Sequence, residues 1–106
     1  MGYYTDFTIK ANTSQTTFNE AITQLSDISG YTFHSHWNEA RLLESKWYKH
    51  DSDMATLSNN FVDVLFEVCG VGEDEGDLWK SYYKNGKLFT SNGKIVFEDF
   101  DESKLN

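Results

Sequence analysis

The sequence predicts an α+β fold, in which a mainly antiparallel sheet of about five strands carries two helices on one face. Three observations favour it: alternating segments gather late in the chain between tight turns, two amphipathic segments precede them, and aromatic residues make up 16% of the chain. The expected element order is β-α-β-α-β-β-β. Because 106 residues is close to the commonest domain size and no linker interrupts them, we expect residues 1–106 to form a single domain.

The chain is predicted to begin with a strand and a helix. Residues 4–10 alternate between two sets of β-forming side chains, which is typical of a half-buried strand. Thr17 and Glu20 have the spacing of a capping box, and apolar residues follow at intervals of three and four. Gly30 supplies the left-handed residue that commonly ends a helix. We therefore predict a helix over residues 18–29.

The middle of the chain gives weaker local signals. Residues 31–39 contain aromatics and histidines but show no clear period. Residues 42–48 are predicted to form a second strand, and Asp51 is a candidate cap for a short helix with one apolar face. Residues 64–69 then alternate again, which predicts a third strand.

An acidic loop bracketed by glycines, Gly70 to Asp77, follows the third strand. It holds three glycines and four carboxylates in eight residues, so it cannot bury an apolar face. We therefore expect it to interrupt the strand and to lie exposed at the surface.

The last part of the chain is predicted to contain an aromatic β-hairpin. Residues 78–84 form its first strand, and Asn85-Gly86 is the dipeptide most typical of a two-residue hairpin turn. The chain continues through residues 87–91 to Asn92-Gly93, a second turn or a bulge, and then to a last strand at residues 95–97. An exposed edge between residues 87 and 97 leaves a homodimer open.

Charge and cysteine content narrow the classes of function. The net charge is −8, and residues 61–80 alone contribute −5. With only nine Lys and Arg residues, which are scattered, direct nucleic-acid binding is disfavoured and a protein partner with a basic surface is favoured. Cys69 is the only cysteine, and no run approaches the roughly 20 apolar residues of a membrane span. We expect a cytoplasmic protein that does not bind membranes, with Cys69 packed as a small hydrophobe.

No pattern in the sequence points to catalysis, a metal or a cofactor. An EF-hand count that starts at Glu73 ends on Lys84 instead of Glu, and the Gly-x-Gly at 70–72 lacks the helix and lysine of a phosphate loop. His34 and His36 would share one face of a strand, but no further ligand pattern supports a zinc site. The prediction is therefore a protein without enzymatic activity, metal or cofactor.

The candidate partner-binding residues come from the acidic loop and the strand after it. On that strand Trp79 and Tyr83 point the same way, and exposed aromatic side chains beside a charged loop are good binding anchors. Packing of both in the core is the alternative. The candidate set is Glu73, Asp74, Glu75, Asp77, Trp79 and Tyr83.

Three segments of the chain form a recognisable pattern: Lys46-Trp-Tyr-Lys-His50, Gly72-Glu-Asp-Glu-Gly-Asp-Leu-Trp79 and Tyr83-Lys-Asn-Gly-Lys87. The pattern resembles that of a family of small, mostly uncharacterised, acidic proteins of tailed phages and prophages. The resemblance covers about residues 42–100, with a similar start at Gly2-Tyr-Tyr4, and the chain departs from it at Ser91-Asn-Gly-Lys94. It implies a phage accessory protein that acts inside the bacterium.

The hypothesis from the sequence is that this accessory protein binds and inhibits a bacterial host or defence protein. A stronger form is DNA mimicry, in which carboxylates take the place of phosphates on a basic groove. Two alternatives remain open: an immunity protein that neutralises a toxin, and a small hydrolase or nucleotide-handling enzyme that uses His34, His36 and the loop carboxylates.

Overall fold

The computed structural model describes residues 3–74 and 76–92, and these residues form a six-stranded antiparallel sheet with two α-helices. The strand order across the sheet is β2-β3-β1-β4-β5-β6. No helix in this part of the chain is long and apolar enough to cross a membrane. The elements in chain order are β1 (Thr5–Ala11), α1 (Gln15–Ser29), β2 (His34–His36), β3 (Glu39–Ser45), α2 (His50–Asn60), β4 (Phe66–Gly72), β5 (Leu78–Lys84) and β6 (Lys87–Asn92). The predicted α+β class with an antiparallel sheet is confirmed.

Alternation along each strand divides the sheet into two faces. On the inner face, residues such as Phe7, Val68 and Tyr83 pack with the apolar stripes of both helices into one core. The outer face carries the residues between them, and neither helix covers it. Core side chains such as Phe18 and Leu25 of α1 are fully buried, which stabilises the fold by about 1.5–3 kcal/mol for each such side chain.

The helix α1 begins earlier than the predicted capping box. The Oγ of Ser14 accepts a hydrogen bond from the backbone N–H of Thr17 at 3.2 Å, so Ser14 is the N-cap and Thr17 already lies in the first turn. The prediction that Thr17 and Glu20 cap the helix was therefore wrong by one turn. The predicted end is confirmed, because Gly30 adopts φ 80° and its N–H donates to the carbonyl of Ser26.

The helix α2 is confirmed, but Asp51 does not cap it. The helix begins at His50, and the N-cap position, Lys49, makes no capping hydrogen bond with its side chain. Asp51 and Asp53 lie in the first turn, where carboxylates interact favourably with the helix dipole. Both also accept hydrogen bonds from the aromatic core, so tertiary contacts fix their place in the helix.

The segment without a clear period contains a short strand. Residues 34–36 form β2, which pairs with the start of β3 through a turn at Trp37-Asn38. The predicted strand at 42–48 is shifted: β3 starts at Glu39 and ends at Ser45, because a bulge with Glu44 at φ 47° turns the chain away from β1.

The expected interruption at Gly70 was wrong. The strand β4 continues to Gly72, because β1 and β5 hydrogen-bond to it from both sides and hold Gly70 in the sheet. The hairpin between β5 and β6 is confirmed: Asn85 and Gly86 have φ 51° and 78°, as a type I′ turn requires. The predicted turn at Asn92-Gly93 and the strand at 95–97 extend beyond the described residues.

Candidate functional site

The acidic loop is a compact turn between β4 and β5. The N–H of Gly72 donates to the carbonyl of Asp77 at 2.9 Å, and the N–H of Asp77 donates to the carbonyl of Asp74 at 3.1 Å. Gly76 adopts φ 85°, a left-handed conformation in which a side chain would be strained. The turn thus has a defined backbone shape that its own hydrogen bonds maintain.

Tyr3, near the start of the chain, holds this turn in place. Its hydroxyl donates to Oδ2 of Asp77 at 2.5 Å and accepts the backbone N–H of Asp74 at 3.0 Å. The hydrogen bond to Asp77 raises the pKa of Tyr3, because ionised Tyr3 can no longer donate to the carboxylate. We call these contacts of Tyr3 with Asp74 and Asp77 the Tyr3 clasp.

Glycine at position 72 makes the clasp sterically possible. A Cβ at this position would collide with the carboxylate of Asp77 and with the hydroxyl of Tyr3. Two further contacts orient the beginning of the chain: the N–H of Tyr3 donates to the hydroxyl of Tyr48 at 2.9 Å, and the N–H of Tyr4 donates to Oε1 of Glu73 at 2.8 Å. The clasp therefore joins three stretches of the chain.

The four predicted loop carboxylates do not share one role. Those of Glu73 and Asp77 accept hydrogen bonds from the chain's own backbone and hydroxyl groups, whereas Asp74 is exposed to solvent. Glu75 is not among the described residues. Asp74 is therefore the described loop carboxylate best placed to meet a partner.

Trp79 is half-buried and belongs to an aromatic cluster on the inner face. Its indole lies over Gly70, where any Cβ would collide with it. It stacks on the ring of His50, with centroids 4.8 Å apart and planes at 20°, and meets the edge of Phe7 at 5.9 Å. Most of its contacts are thus internal.

Tyr83 is fully buried, so its side chain does not lie on any surface that a partner could reach. Its hydroxyl donates to Oδ1 of Asp51 at 2.5 Å. Burial, together with this hydrogen bond, raises the pKa of Tyr83 well above its ordinary value. The structure thus places Tyr83 in the core, the alternative that the sequence had left open.

The residues named for the enzyme alternative are not brought together. His34 and His36 lie exposed on β2, opposite Arg41 and Glu39. Two strands, β3 and β1, separate them from β4 and its loop. Within residues 3–74 and 76–92, no group of three His, Cys, Asp or Glu side chains is arranged to hold a metal ion.

Exposed apolar residues flank the acidic turn on the outer face. Val71 and Leu78 pair across β4 and β5 and are 47% and 37% exposed. They border an open groove of about 360 Å³ that also contains Cys69 and Tyr82. Burial raises the pKa of the Cys69 thiol, so the neutral form is favoured. Together with the clasped turn, Val71 and Leu78 make up the surface that we call the loop end.

Sequence reasoning missed Tyr3, Tyr48 and Gly72 as parts of this site. Their contacts with Asp74 and Asp77 span up to 74 residues, and no local periodicity reports such contacts. The only available signal was the pattern behind the family resemblance, which includes Tyr48 and Gly72 as well as the Gly-Tyr-Tyr start. No family model matches the chain, and neither the curated proteins nor the solved structures contain a significant match.

Proposed function

We propose that this chain is a small phage-type accessory protein that binds a bacterial protein without catalysing a reaction, and that the loop end is its docking surface. The observation that carries the proposal is the Tyr3 clasp. It holds the acidic turn in one shape beside exposed Val71 and Leu78.

Preorganisation is the physical reason to favour this surface. A loop that must become ordered on binding loses conformational entropy, and a loop that is already ordered avoids this cost. The hydrogen bonds of the turn and of Tyr3 therefore favour binding by a surface that is rigid before contact.

The chemistry of the loop end indicates what kind of partner fits. Its apolar residues, Val71 and Leu78, lie beside the exposed carboxylate of Asp74 and the partly engaged carboxylate of Glu73. A complementary partner has an apolar centre with Lys or Arg at its rim, the usual anatomy of a protein interface. Such a partner would be a host or defence protein with a basic surface.

DNA mimicry remains the stronger form of the proposal. It requires carboxylates that are free to accept hydrogen bonds from a basic groove, and Glu73 and Asp77 already accept bonds from their own chain. The described residues therefore favour docking through apolar contacts with an acidic rim. Competition by nucleic acid distinguishes the two forms, because only a mimic shares its binding site with DNA or RNA.

Site-specific photo-crosslinking in bacterial lysate tests the docking surface. A photoreactive amino acid at position 74 is expected to form an adduct with one basic protein, and the yield should fall as salt rises. The matched control carries the same group at Glu20, an exposed carboxylate on α1. Adducts that are identical from both positions, or absent from position 74, would contradict the proposal.

A charge substitution in the apolar part of the surface gives a second test. Leu78→Asp keeps the acidic turn but places a carboxylate where the proposed interface is apolar, so the adduct from position 74 should be lost. Val62→Asp is the control, since Val62 is 69% exposed and lies just after α2. An adduct that survives Leu78→Asp unchanged would mean that the partner does not dock here.

A further inference from the structure

The outer face of the sheet differs in charge from the rest of this acidic chain. Five of the seven Lys and Arg side chains among the described residues project from it. Only four of the twelve described carboxylates do so, if Glu44 at the bulge is included with Asp6, Glu39 and Glu67. The five cations are Lys10, Arg41, Lys80, Lys84 and Lys87.

The cations on this face fall into two groups. Lys10, Arg41 and Lys80 each lie within 4 Å of Glu39 or Glu67. Lys84 and Lys87 lie directly opposite each other across β5 and β6, and neither forms an ion pair with any described carboxylate. Like charges at directly opposed positions destabilise a sheet, so an anionic group bound beside them would stabilise this end.

An apolar strip lies next to these lysines. Tyr82 and Phe89 face each other across β5 and β6 with ring centroids 6.3 Å apart, and Phe89 is 66% exposed. The strip continues into the groove of about 360 Å³ that contains Cys69 and Leu78. A complementary occupant therefore carries both carboxylates and apolar side chains.

We propose that the occupant is the chain's own segment 93–106. Its sequence carries the required chemistry: Ile95, Val96, Phe97 and Phe100 alternate with or adjoin Glu98, Asp99, Asp101 and Glu102. It follows directly after β6, whose last residue is Asn92. Fourteen residues reach about 46 Å when extended, whereas the three strand spacings from β6 to β1 amount to about 14 Å.

Two other occupants are less compatible with the face. A single strand of nucleic acid would need cations that are free to meet phosphates, and three of the five already pair with carboxylates. The aliphatic groove also offers nothing specific to a base. A second copy of the chain would supply the same segment in trans, and the experiment below separates it from the segment in cis.

Zero-length carbodiimide crosslinking of the full chain tests the proposal. Equal amounts of ¹⁴N- and ¹⁵N-labelled protein are mixed, crosslinked and mapped by mass spectrometry. We expect adducts between a carboxylate of residues 98–102 and Lys80, Lys84 or Lys87, with both peptides carrying the same isotope. The adduct between Lys80 and Glu67, whose groups lie 3.7 Å apart, is the internal control for the reagent. Adducts of mixed isotope only would show a second copy instead, and the control adduct without any from residues 98–102 would overturn the proposal.

The lone cysteine gives an independent measurement on the same protein. Cys69 lies in the groove, so an occupant slows its alkylation by iodoacetamide, a neutral reagent. Phe97→Ser with Phe100→Ser removes apolar anchors without changing charge, and should speed the reaction by about threefold or more. Val62→Ser, at an exposed apolar residue elsewhere, should leave the rate unchanged. Equal rates in all three proteins would contradict the proposal.

Discussion

Replacing Tyr83 by Phe should destabilise the protein at neutral pH and flatten the loss of its stability in alkali. The change removes the hydroxyl that donates to Asp51 at 2.5 Å and keeps the buried ring. Hydrogen bonds to charged groups contribute about 1.5–3 kcal/mol, and we expect the lower end because the Asp51 side chain is half exposed and water can replace the donor. A loss of about 1–2 kcal/mol lowers Tm by roughly 5–12 °C in a domain of this size.

The pH dependence follows from the direction of the pKa shift. The pKa of Tyr83 is higher in the folded protein than in the unfolded chain, where it is near 10, so its contribution is complete below about pH 10. This contribution is lost as the pH rises toward the folded value, because the unfolded chain releases the proton more readily. Between pH 9 and pH 11 the wild-type protein should therefore lose more stability than the Phe variant.

Urea denaturation followed by tryptophan fluorescence at pH 7, 9 and 11 measures both effects. Tyr82→Phe is the matched control, because Tyr82 is the adjacent residue on the outer face and its hydroxyl makes no hydrogen bond with the described residues. The interpretation of Tyr83 as a core residue would be refuted if Tyr83→Phe and Tyr82→Phe were equally stable at pH 7. An alkaline loss in Tyr83→Phe as large as in the wild type would refute the origin assigned to the pH effect.

Three further substitutions test the local interpretations. Ser14→Ala should cost about 1 kcal/mol in thermal unfolding because it removes the N-cap, whereas Thr17→Ala should cost clearly less. Gly70→Ala should cost about 1–3 kcal/mol and shift the tryptophan emission, since the new methyl group displaces the indole above it. Gly72→Ala should lower the pKa of Tyr3 toward its ordinary value, measured by ¹³C NMR of the tyrosine ring; an unchanged pKa would mean that the hydrogen bond to the loop persists.

The parts of the fold that the sequence predicted correctly are those with local causes. The strand at 78–84 and the turn at Asn85-Gly86 match the structure residue for residue, because alternation and a positive-φ dipeptide act within a few positions. The strand β2 escaped prediction because its three residues are extended only through pairing with β3. Gly70 was assigned to a loop because glycine is a poor strand former, yet pairing on both sides outweighs this preference.

The candidate site could be predicted only in part, for a related reason. Alternation correctly placed Trp79 and Tyr83 on the same side of a strand, but it could not tell which side the helices cover. The acidic residues were correctly identified as a loop. Their separate roles depend on Tyr3, which is about 70 residues away in the sequence, so composition alone could not distinguish Asp74 from Asp77.

The Tyr3 clasp also has an evolutionary consequence. Gly72 is required only while the Asp77 carboxylate and the Tyr3 hydroxyl occupy the space beside it, and neither of those two groups has its partner without the other. A chain that lost any one of the three would relax selection on the remaining two. Homologous proteins should therefore exchange the three positions together, and their joint variation would report the contact without any structure.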